Sequence, residues 1–475
     1  MPPAAAPPLP DRCLSMTSLR FTVPGFALLM LSACVLPGDG PAASSKAPSV
    51  SVPAAFTGTK PAADTAQSPQ WWAAFRDSRL DALMQQGLAQ NLDVQQAVAR
   101  ISEARANAGL AGAADLPQLS ATGSAGRSDL QGKGADSTSS VGLNTSWMID
   151  LFGANRAAKR SAAAQLDAAY LSADVARLAI LAEIATTYAD LRFYQHSIAL
   201  TQDSLSGRRK SLSLTREKFD LGSVARLDVL QAEQLVAVAE AELPALEVGY
   251  DQAIYRLATL TGQSASRLRA DLQKGMAQPR PRYRAAIGVP ADVLRNRPDI
   301  RKAERDLASA AASVGVARAA LYPSLSLGGT VTASEARASG ALTTWSFGPQ
   351  ISLPIFDGGR NRATLRGAEA RAVQAELAWK SAVTKAVEEV EAALSAYRRD
   401  ARNIGAQDKL VSTSRQTLDL ARAEFDLGQG DFLAVLDAER TEFDARRALA
   451  QAIRAEAAHY VALSLATAGG VPVAR

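Results

Sequence analysis

Residues 218–234 read KFDLGSVARLDVLQAEQ, and residues 424–440 read EFDLGQGDFLAVLDAER. Phe219 aligns with Phe425, Gly222 with Gly428, Leu227 with Leu433 and Glu233 with Glu439, always 206 positions apart. The same offset joins Asp93 to Asp299 and Pro117 to Pro323 without a gap. The chain is therefore two copies of one unit, at residues 71–262 and 290–467. Residues 263–289, rich in arginine and proline, connect them.

Upstream of each repeated stretch lies a very long helical pattern. Residues 154–220 and 361–426 contain no proline and are rich in Ala, Leu, Arg, Glu and Gln, all good helix formers. In the first copy Leu191, Ile198, Leu205, Leu212 and Phe219 recur every seven residues; in the second, Tyr397, Ile404, Val411, Leu418 and Phe425 do. A strict seven-residue period keeps one apolar seam on a partner helix and implies left-handed supercoiling. At ~1.5 Å per residue, each helix is a rod of about 100 Å. Both rods end in Phe-Asp-Leu-Gly, and Gly222 and Gly428 suit the left-handed residue that closes a helix. Apolar periodicity then resumes, which predicts return helices at 225–260 and 431–467. Helical patterns at 78–114 and 291–320 precede the rods and would lengthen the returning layer.

Before each rod the period changes from 3.6 to 2. Val141, Leu143, Thr145, Trp147 and Ile149 alternate with Gly142, Asn144 and Ser146. In the second copy Trp345, Phe347, Ile351, Leu353 and Ile355 alternate with Ser346, Gly348, Gln350 and Ser352. These are strands with one apolar and one small or polar face. Weaker partners at 118–126 and 324–333 complete two hairpins, 118–150 and 324–356, joined by polar loops at 127–140 and 334–344. Four strands cannot close a barrel, and membrane barrels need at least about eight. Two copies would give eight strands around a filled interior; three would give twelve, with room for a pore. A soluble sheet with one buried face has the same alternation.

Composition narrows the function. The 475 residues carry a net charge of +5 with 21% charged and 5% aromatic residues, and no basic block or stacking platform suited to nucleic acid. Past residue 33 no apolar run reaches the ~18 to 20 residues of a membrane helix. The two histidines, His196 and His459, lie far apart in metal-free spacing, and no phosphate loop or nucleophile elbow occurs. These features argue against an enzyme and against a metal site.

The start of the chain reads as an export signal over residues 1–33. Basic Arg12 and Arg20 precede the apolar segment FTVPGFALLMLSA, residues 21–33, with Met16 an alternative start. Cleavage would remove Cys13 and leave Cys34 as the only thiol. Leu31-Ser32-Ala33-Cys34 resembles the lipobox of bacterial lipoproteins, which implies acylation of Cys34 and a lipidated, extended segment 34–70. Multiple acyl chains anchor a protein far better than one. Val35, where an aspartate would often retain such a lipoprotein at the inner membrane, points by the same resemblance to the outer membrane.

Taken together, these residues resemble the TolC-like outer-membrane factors, in particular the OprM/NodT-type efflux lipoproteins. The likeness is carried by Cys34, Trp71-Trp72 with Phe75 and Asp77, and Arg297-Pro298-Asp299-Ile300 with Ala303-Glu304. It also rests on Tyr322-Pro323, Pro354-Ile355-Phe356-Asp357-Gly358-Gly359 and both Phe-Asp-Leu-Gly tips. The resemblance implies an α+β, mostly helical fold: a periplasmic α-barrel of long antiparallel helices, and four strands per chain in a trimeric, twelve-stranded transmembrane β-barrel. A belt midway along the tunnel would use residues 263–289 and both chain ends, with 468–475 as a C-terminal tail.

The implied function is an outer-membrane channel of a tripartite efflux system, without catalysis or a cofactor other than the lipid on Cys34. Its implied partners are two further copies, a periplasmic adaptor, an inner-membrane pump of RND type and outer-membrane lipid. By the same resemblance Asp228 and Asp437 are gate carboxylates. Arg226 is placed to pair with Asp228 or with a neighbouring chain. Leu221, Gly222, Ser223, Leu427, Gly428 and Gln429 form the adaptor-docking tips. Ala434 and Gly430 depart from the family pattern, standing where TolC has an acid and an arginine. The rival readings are a channel for ABC-type protein secretion and a lipid-anchored coiled-coil scaffold without a pore.

Overall fold

The computed structural model describes residues 70–129, 135–283, 294–336 and 340–467. The signal peptide 1–33, Cys34 and its segment to residue 69, connector residues 284–289 and the tail 468–475 lie outside the described residues. So does the start, 291–293, of the second copy's first helical stretch.

Two rods dominate. Helices α3 (Ala154–Asp220) and α7 (Arg360–Asp426) have 67 residues each, and each is followed by a 36-residue return helix, α4 (Arg226–Thr261) and α8 (Phe432–Thr467). The shorter α1 (Ser78–Gln90), α2 (Leu92–Ala113), α5 (Ala265–Leu272) and α6 (Pro298–Ala319) complete the helical layer. In the half nearer the sheet, α2 and α6 pack on α3; towards the tips α4 and α8 do, while α7 packs on α6 and α8. The ten heptad positions of the rods are all buried or half-buried, because a seven-residue repeat returns each of them to the same helix face.

The first helical stretch departs from the expected single helix over 78–114. Asn91 breaks it, with extended backbone at φ −65°, ψ 129°. Its side-chain oxygen accepts the N–H groups of Asp93 (2.9 Å) and Val94 (3.1 Å), capping α2, while its Nδ2 donates to the Leu260 carbonyl at 3.0 Å. Asparagine at this position competes with the helix for its own backbone donors and so starts a new one.

The four strands are β1 (Gln118–Asp129), β2 (Ala135–Ile149), β3 (Ser324–Ala336) and β4 (Gly340–Ser352), antiparallel in the order β1-β2-β3-β4. They reach further into the polar loops than hydropathy indicated, since Ser and Thr pair in a ladder as readily as apolar residues do. At the other end β4 stops before Leu353 and Ile355, which were expected to continue it; Pro354, without an N–H, cannot extend the ladder. The register places Leu143 opposite Val331 and Val331 opposite Trp345, and Trp147 opposite Leu327. One face therefore carries Val141, Leu143, Trp147, Leu325, Val331, Trp345, Phe347 and Ile351, most of them exposed. The other carries Ser120, Thr122, Ser140, Gly142, Asn144, Ser326, Thr330, Thr332, Ser346 and Gln350. No helix among the described residues is long and apolar enough to cross a membrane, a statement that bears on the helices alone.

The main core lies midway along the rods. A short 3₁₀ turn, Trp71–Phe75, inserts both tryptophans and Phe75 among Leu181, Ile184, Tyr188, Ile254, Leu257, Leu394 and Tyr460. Tyr460 Oη donates to the Trp71 carbonyl at 2.8 Å, so the start of the described chain is tied to the last helix. Replacing Asn91 by Ala should cost about 1–2 kcal/mol, since it removes the α2 cap and orphans the buried Leu260 carbonyl; a lower melting temperature in detergent, with the helical circular-dichroism signal retained at 25 °C, is the expected result.

Candidate functional site

The two helical hairpins end together. Each closes in the same way: the Gly222 N–H donates to the Phe219 carbonyl and Ser223 N–H to Lys218, both at 2.8 Å, while Gly428 N–H donates to Phe425 (3.1 Å) and Gln429 N–H to Glu424 (2.9 Å). Both glycines sit at φ +73°, a left-handed conformation that costs a side-chain-bearing residue about 1 kcal/mol or more. Beneath the turns Leu212, Val229, Ala232, Phe425, Phe432, Val435 and Leu436 form one cluster contributed by both hairpins. The Lys218 ammonium lies 3.6 Å from the centre of the Phe425 ring. This cluster brings Leu221, Gly222 and Ser223 to the same end of the molecule as Leu427, Gly428 and Gln429, all exposed, with Leu221 81% and Leu427 74% accessible.

The expected gate residues take separate positions. Asp228 Oδ2 accepts the Ala225 N–H at 2.9 Å and caps the first turn of α4. Arg226 does not meet it; its guanidinium lies over the Phe219 ring, 5.9 Å from the centroid. The preference of an N3 carboxylate for the helix's own free N–H groups explains why the Arg226–Asp228 pair is absent here. Asp437 is exposed on α8 and lines a groove of about 470 Å³ with Thr413, Ser414, Thr417, Glu424, Ala434 and Thr441. Ala434 thus adds no second charge beside Asp437. Gly430 has a packing reason: its N–H donates to the Glu424 carbonyl at 3.1 Å, and an added Cβ would come within 3.1 Å of Glu424 Cβ and Phe425 N.

Charged residues just above the tips, not singled out from sequence, join the helices. Glu439, 6% exposed, accepts from Arg422 (2.8 Å) on α7 and from Ser211 (2.9 Å) on α3. Arg208, also buried, donates to the Leu235 carbonyl at 2.9 Å and lies 5.1 Å from the centre of the Phe443 ring. Burial pulls its guanidinium below the usual value, and nearby Glu439 opposes that. Glu233 is held below the usual carboxylate range, first by its hydrogen bond from Arg216 and then by the charges of Arg216 and Arg226. In sequence these are arginines and glutamates on long polar helices, with no local mark of the burial of Glu439 and Arg208.

The short motifs turn out to be ties of the fold. Buried Arg297 donates to Glu389 (2.7 Å), Asp299 and the Ala466 carbonyl (3.0 Å), linking α6 to α7 and α8. Asp77 caps α1 and accepts from buried Tyr188 Oη at 2.6 Å. Asp357 accepts the N–H groups of Gly359 (2.8 Å) and Asn361 (2.9 Å), turning the chain from β4 into α7. His459 Nδ1 meets buried Asp400 at 2.8 Å, a helix-to-helix contact. Among the described residues there is no cluster of three or more His, Cys, Asp or Glu that could hold a metal.

A repeated pair of long helical hairpins, surmounted by a two-faced sheet with open edges, is the design of an outer-membrane channel. The chain belongs to the outer membrane efflux protein family, whose sequence profile matches residues 83–263 and 289–469, one match per repeat. Nodulation protein T of Rhizobium leguminosarum bv. trifolii is 41% identical over 471 residues, covering 97% of this chain and 99% of that one. The pyoverdine export outer membrane protein OpmQ of Pseudomonas aeruginosa is 32% identical over 421 residues, 86% of this chain and 88% of its own. Among solved structures, the outer-membrane channel OprN superposes with a TM-score of 0.80 at 33% identity, covering 89% of this chain and 98% of that chain. The protein is an outer-membrane efflux channel component with its helices in the periplasm, and not an enzyme.

Because Asp228 caps α4, Asp228→Ala should destabilise that first turn by roughly 0.5–1 kcal/mol. Faster amide exchange confined to residues 225–229, with the rods unaffected, is the expected hydrogen-exchange result.

Proposed function

We propose that three copies close one twelve-stranded barrel in the outer membrane, continued by a helical tunnel across the periplasm. The observation that carries this is the sheet. It has one apolar face, one face of Ser, Thr, Gly and Asn, and two unpaired edges, β1 and β4. Unpaired backbone groups at an edge are intolerable in hydrocarbon. β1 and β4 run antiparallel, so β4 of one copy can continue into β1 of the next. Two copies would make an eight-stranded barrel, whose narrow interior must be filled by side chains; the small polar residues of the inner face leave it empty. Twelve strands enclose water instead.

The helices support the same ring. Rod α3 has helices on both flanks, whereas its repeat mate α7 leaves Val373, Leu377, Leu410 and Leu420 exposed. A channel of this kind has no energy source of its own, so in this reading it forms the outer part of a tripartite efflux system. Exposed Leu221 and Leu427, with Gly222, Ser223, Gly428 and Gln429, are the docking tips for a periplasmic adaptor, which links the tunnel to an inner-membrane pump of RND type. The cargo is a small molecule, in keeping with the export named for OpmQ. The lipid on Cys34 adds an anchor to one the barrel already supplies. Asp437, exposed in its groove near the tips, places three carboxylates around the periplasmic mouth and favours cations there. Asp228, the cap at the start of α4, contributes negative charge to the same end.

The test is reconstitution. Purified full-length protein should run as an SDS-resistant trimer that heat dissociates, and should conduct in a planar bilayer; a monomer without current would overturn the proposal. Asp437→Asn should leave the trimer intact and lower the cation-to-anion permeability ratio, and an unchanged ratio would remove Asp437 from the pore.

A further inference from the structure

We infer that the outer end of the sheet's apolar face is a binding site for a phosphorylated lipid headgroup. Arg127 on β1 takes the phosphate, with Ser137 and Ser139 on β2 and Glu335 on β3 beside it. This rests on the channel proposed above, which turns that face to lipid.

The helices fix which end of the sheet is which. They join it at Gln118, Ile149, Ser324 and Ser352, and they lie in the periplasm. The opposite strand ends, Asp129, Ala135, Ala336 and Gly340, therefore point to the cell exterior. Register fixes the face. The three ladders carry no bulge, so odd-numbered positions of all four strands share one side of the sheet. Arg127 pairs with Ser137, Ala125 with Ser139 and Ser139 with Glu335. All of them stand on the side that carries Val141, Leu143, Val331 and Trp345. On that side charge occurs, among the described residues, only at Arg127, Asp129 and Glu335, all near the outer end. From Leu325 to Glu335 is about 33 Å of strand, and about 25 Å along the axis of a barrel whose strands tilt by ~40°. The apolar band of a membrane barrel is about 25 Å tall. Arg127 and Glu335 thus sit at its outer rim, level with the headgroups.

These four side chains line an open groove of about 570 Å³. Arg127 and Glu335 are both exposed, and among the described residues neither side chain has a hydrogen-bond or ion-pair partner. A guanidinium offers a phosphate two parallel N–H donors, and the neighbouring hydroxyls can donate to its remaining oxygens. Glu335, across β2 from Arg127, repels a phosphate unless a divalent cation lies between them. Carboxylate and phosphate oxygens are the hard ligands that such a cation bridges. Below Arg127 the face of β1 carries only Ala125, Gly123 and Ala121, a low furrow beside Val141 and Leu143. A Cβ added to Gly123 would meet nothing nearer than the Ser140 carbonyl at 4.0 Å. Headgroup and acyl chain of one lipid therefore fit along the same strand. The occupant is the phosphorylated glycolipid of the outer leaflet, whose phosphates are held together by divalent cations.

Native mass spectrometry of the full-length protein in detergent, titrated with phosphorylated lipid A in the presence of Mg²⁺, tests the site. Wild-type protein should take up one lipid A per chain. Arg127→Gln should weaken that uptake about tenfold, the loss of one charge-assisted contact. Arg267→Gln, the same charge change on exposed α5, should leave it unaltered. Chelating Mg²⁺ should weaken uptake by the wild type but not by Glu335→Gln. Lipid A stripped of its phosphates should bind wild-type protein no better than phosphorylated lipid A binds Arg127→Gln. Equal uptake by wild type and Arg127→Gln overturns the site. Displacement of lipid A by millimolar inorganic phosphate marks a free-anion site and overturns the lipid assignment. An unchanged Mg²⁺ dependence in Glu335→Gln overturns the cation bridge. Any of these results in a trimer that conducts leaves the channel reading standing, whereas a wild-type monomer without current overturns both.

Discussion

A backbone N–H or C=O in hydrocarbon must find a partner within the protein. Everything distinctive in this chain depends on that constraint. A four-stranded sheet leaves two rows of such groups open, and no side chain can satisfy a whole row. Only another strand can. The sheet is therefore incomplete as a membrane structure although it is complete as a folded unit. Its two faces agree with this: the apolar face suits lipid, and the Ser, Thr, Gly and Asn face suits water.

The helices meet the same incompleteness by side-chain packing instead of hydrogen bonding. A seven-residue seam needs a partner helix along its whole length. Rod α3 finds it within the chain, from α6 and α8; among the described residues its repeat mate α7 packs on α6 and α8 alone. Duplication thus produced two equivalent rods with unequal surroundings. The unequal exposure of Leu171 and Leu377 is the residue-level trace of that difference. At mid-length the chain adds a separate clamp, in which Trp71, Trp72 and Phe75 of the 3₁₀ turn meet Tyr460 of α8 within a core shared with α1, α3, α4 and α7. Burying several large rings there fixes the shorter helices against the rods.

Buried charge plays a different part. Glu439 and Arg208 join α3, α4, α7 and α8 just above the tips. Breaking such a contact leaves an uncompensated charge, so these residues set the relative position of the two hairpins more sharply than apolar contacts of the same area would. Arg297 does the same near the connector, holding the start of α6 to two other helices. Motifs noticed for their resemblance to a family are, in this structure, largely the means by which separate elements are held in register.

The repeat, the rods, the two strand hairpins and the tip glycines could all be read from the sequence, because each is written in local periodicity or in a backbone conformation that few residues tolerate. The break at Asn91 is not legible in the sequence: its cap is local, but the buried Leu260 carbonyl it serves is 169 residues away. Strand ends are not legible either, because polar Ser and Thr read as loop until a partner strand is present. Of the two pairings open to Arg226, the one with Asp228 does not form within the chain: the helix terminus claims the carboxylate and the Phe219 ring takes the guanidinium. Sequence alone determined the periods, and hence which elements form and which face each presents. Only the tertiary structure decided which of two equivalent faces is covered, since two copies of one pattern are indistinguishable until they are packed against different neighbours.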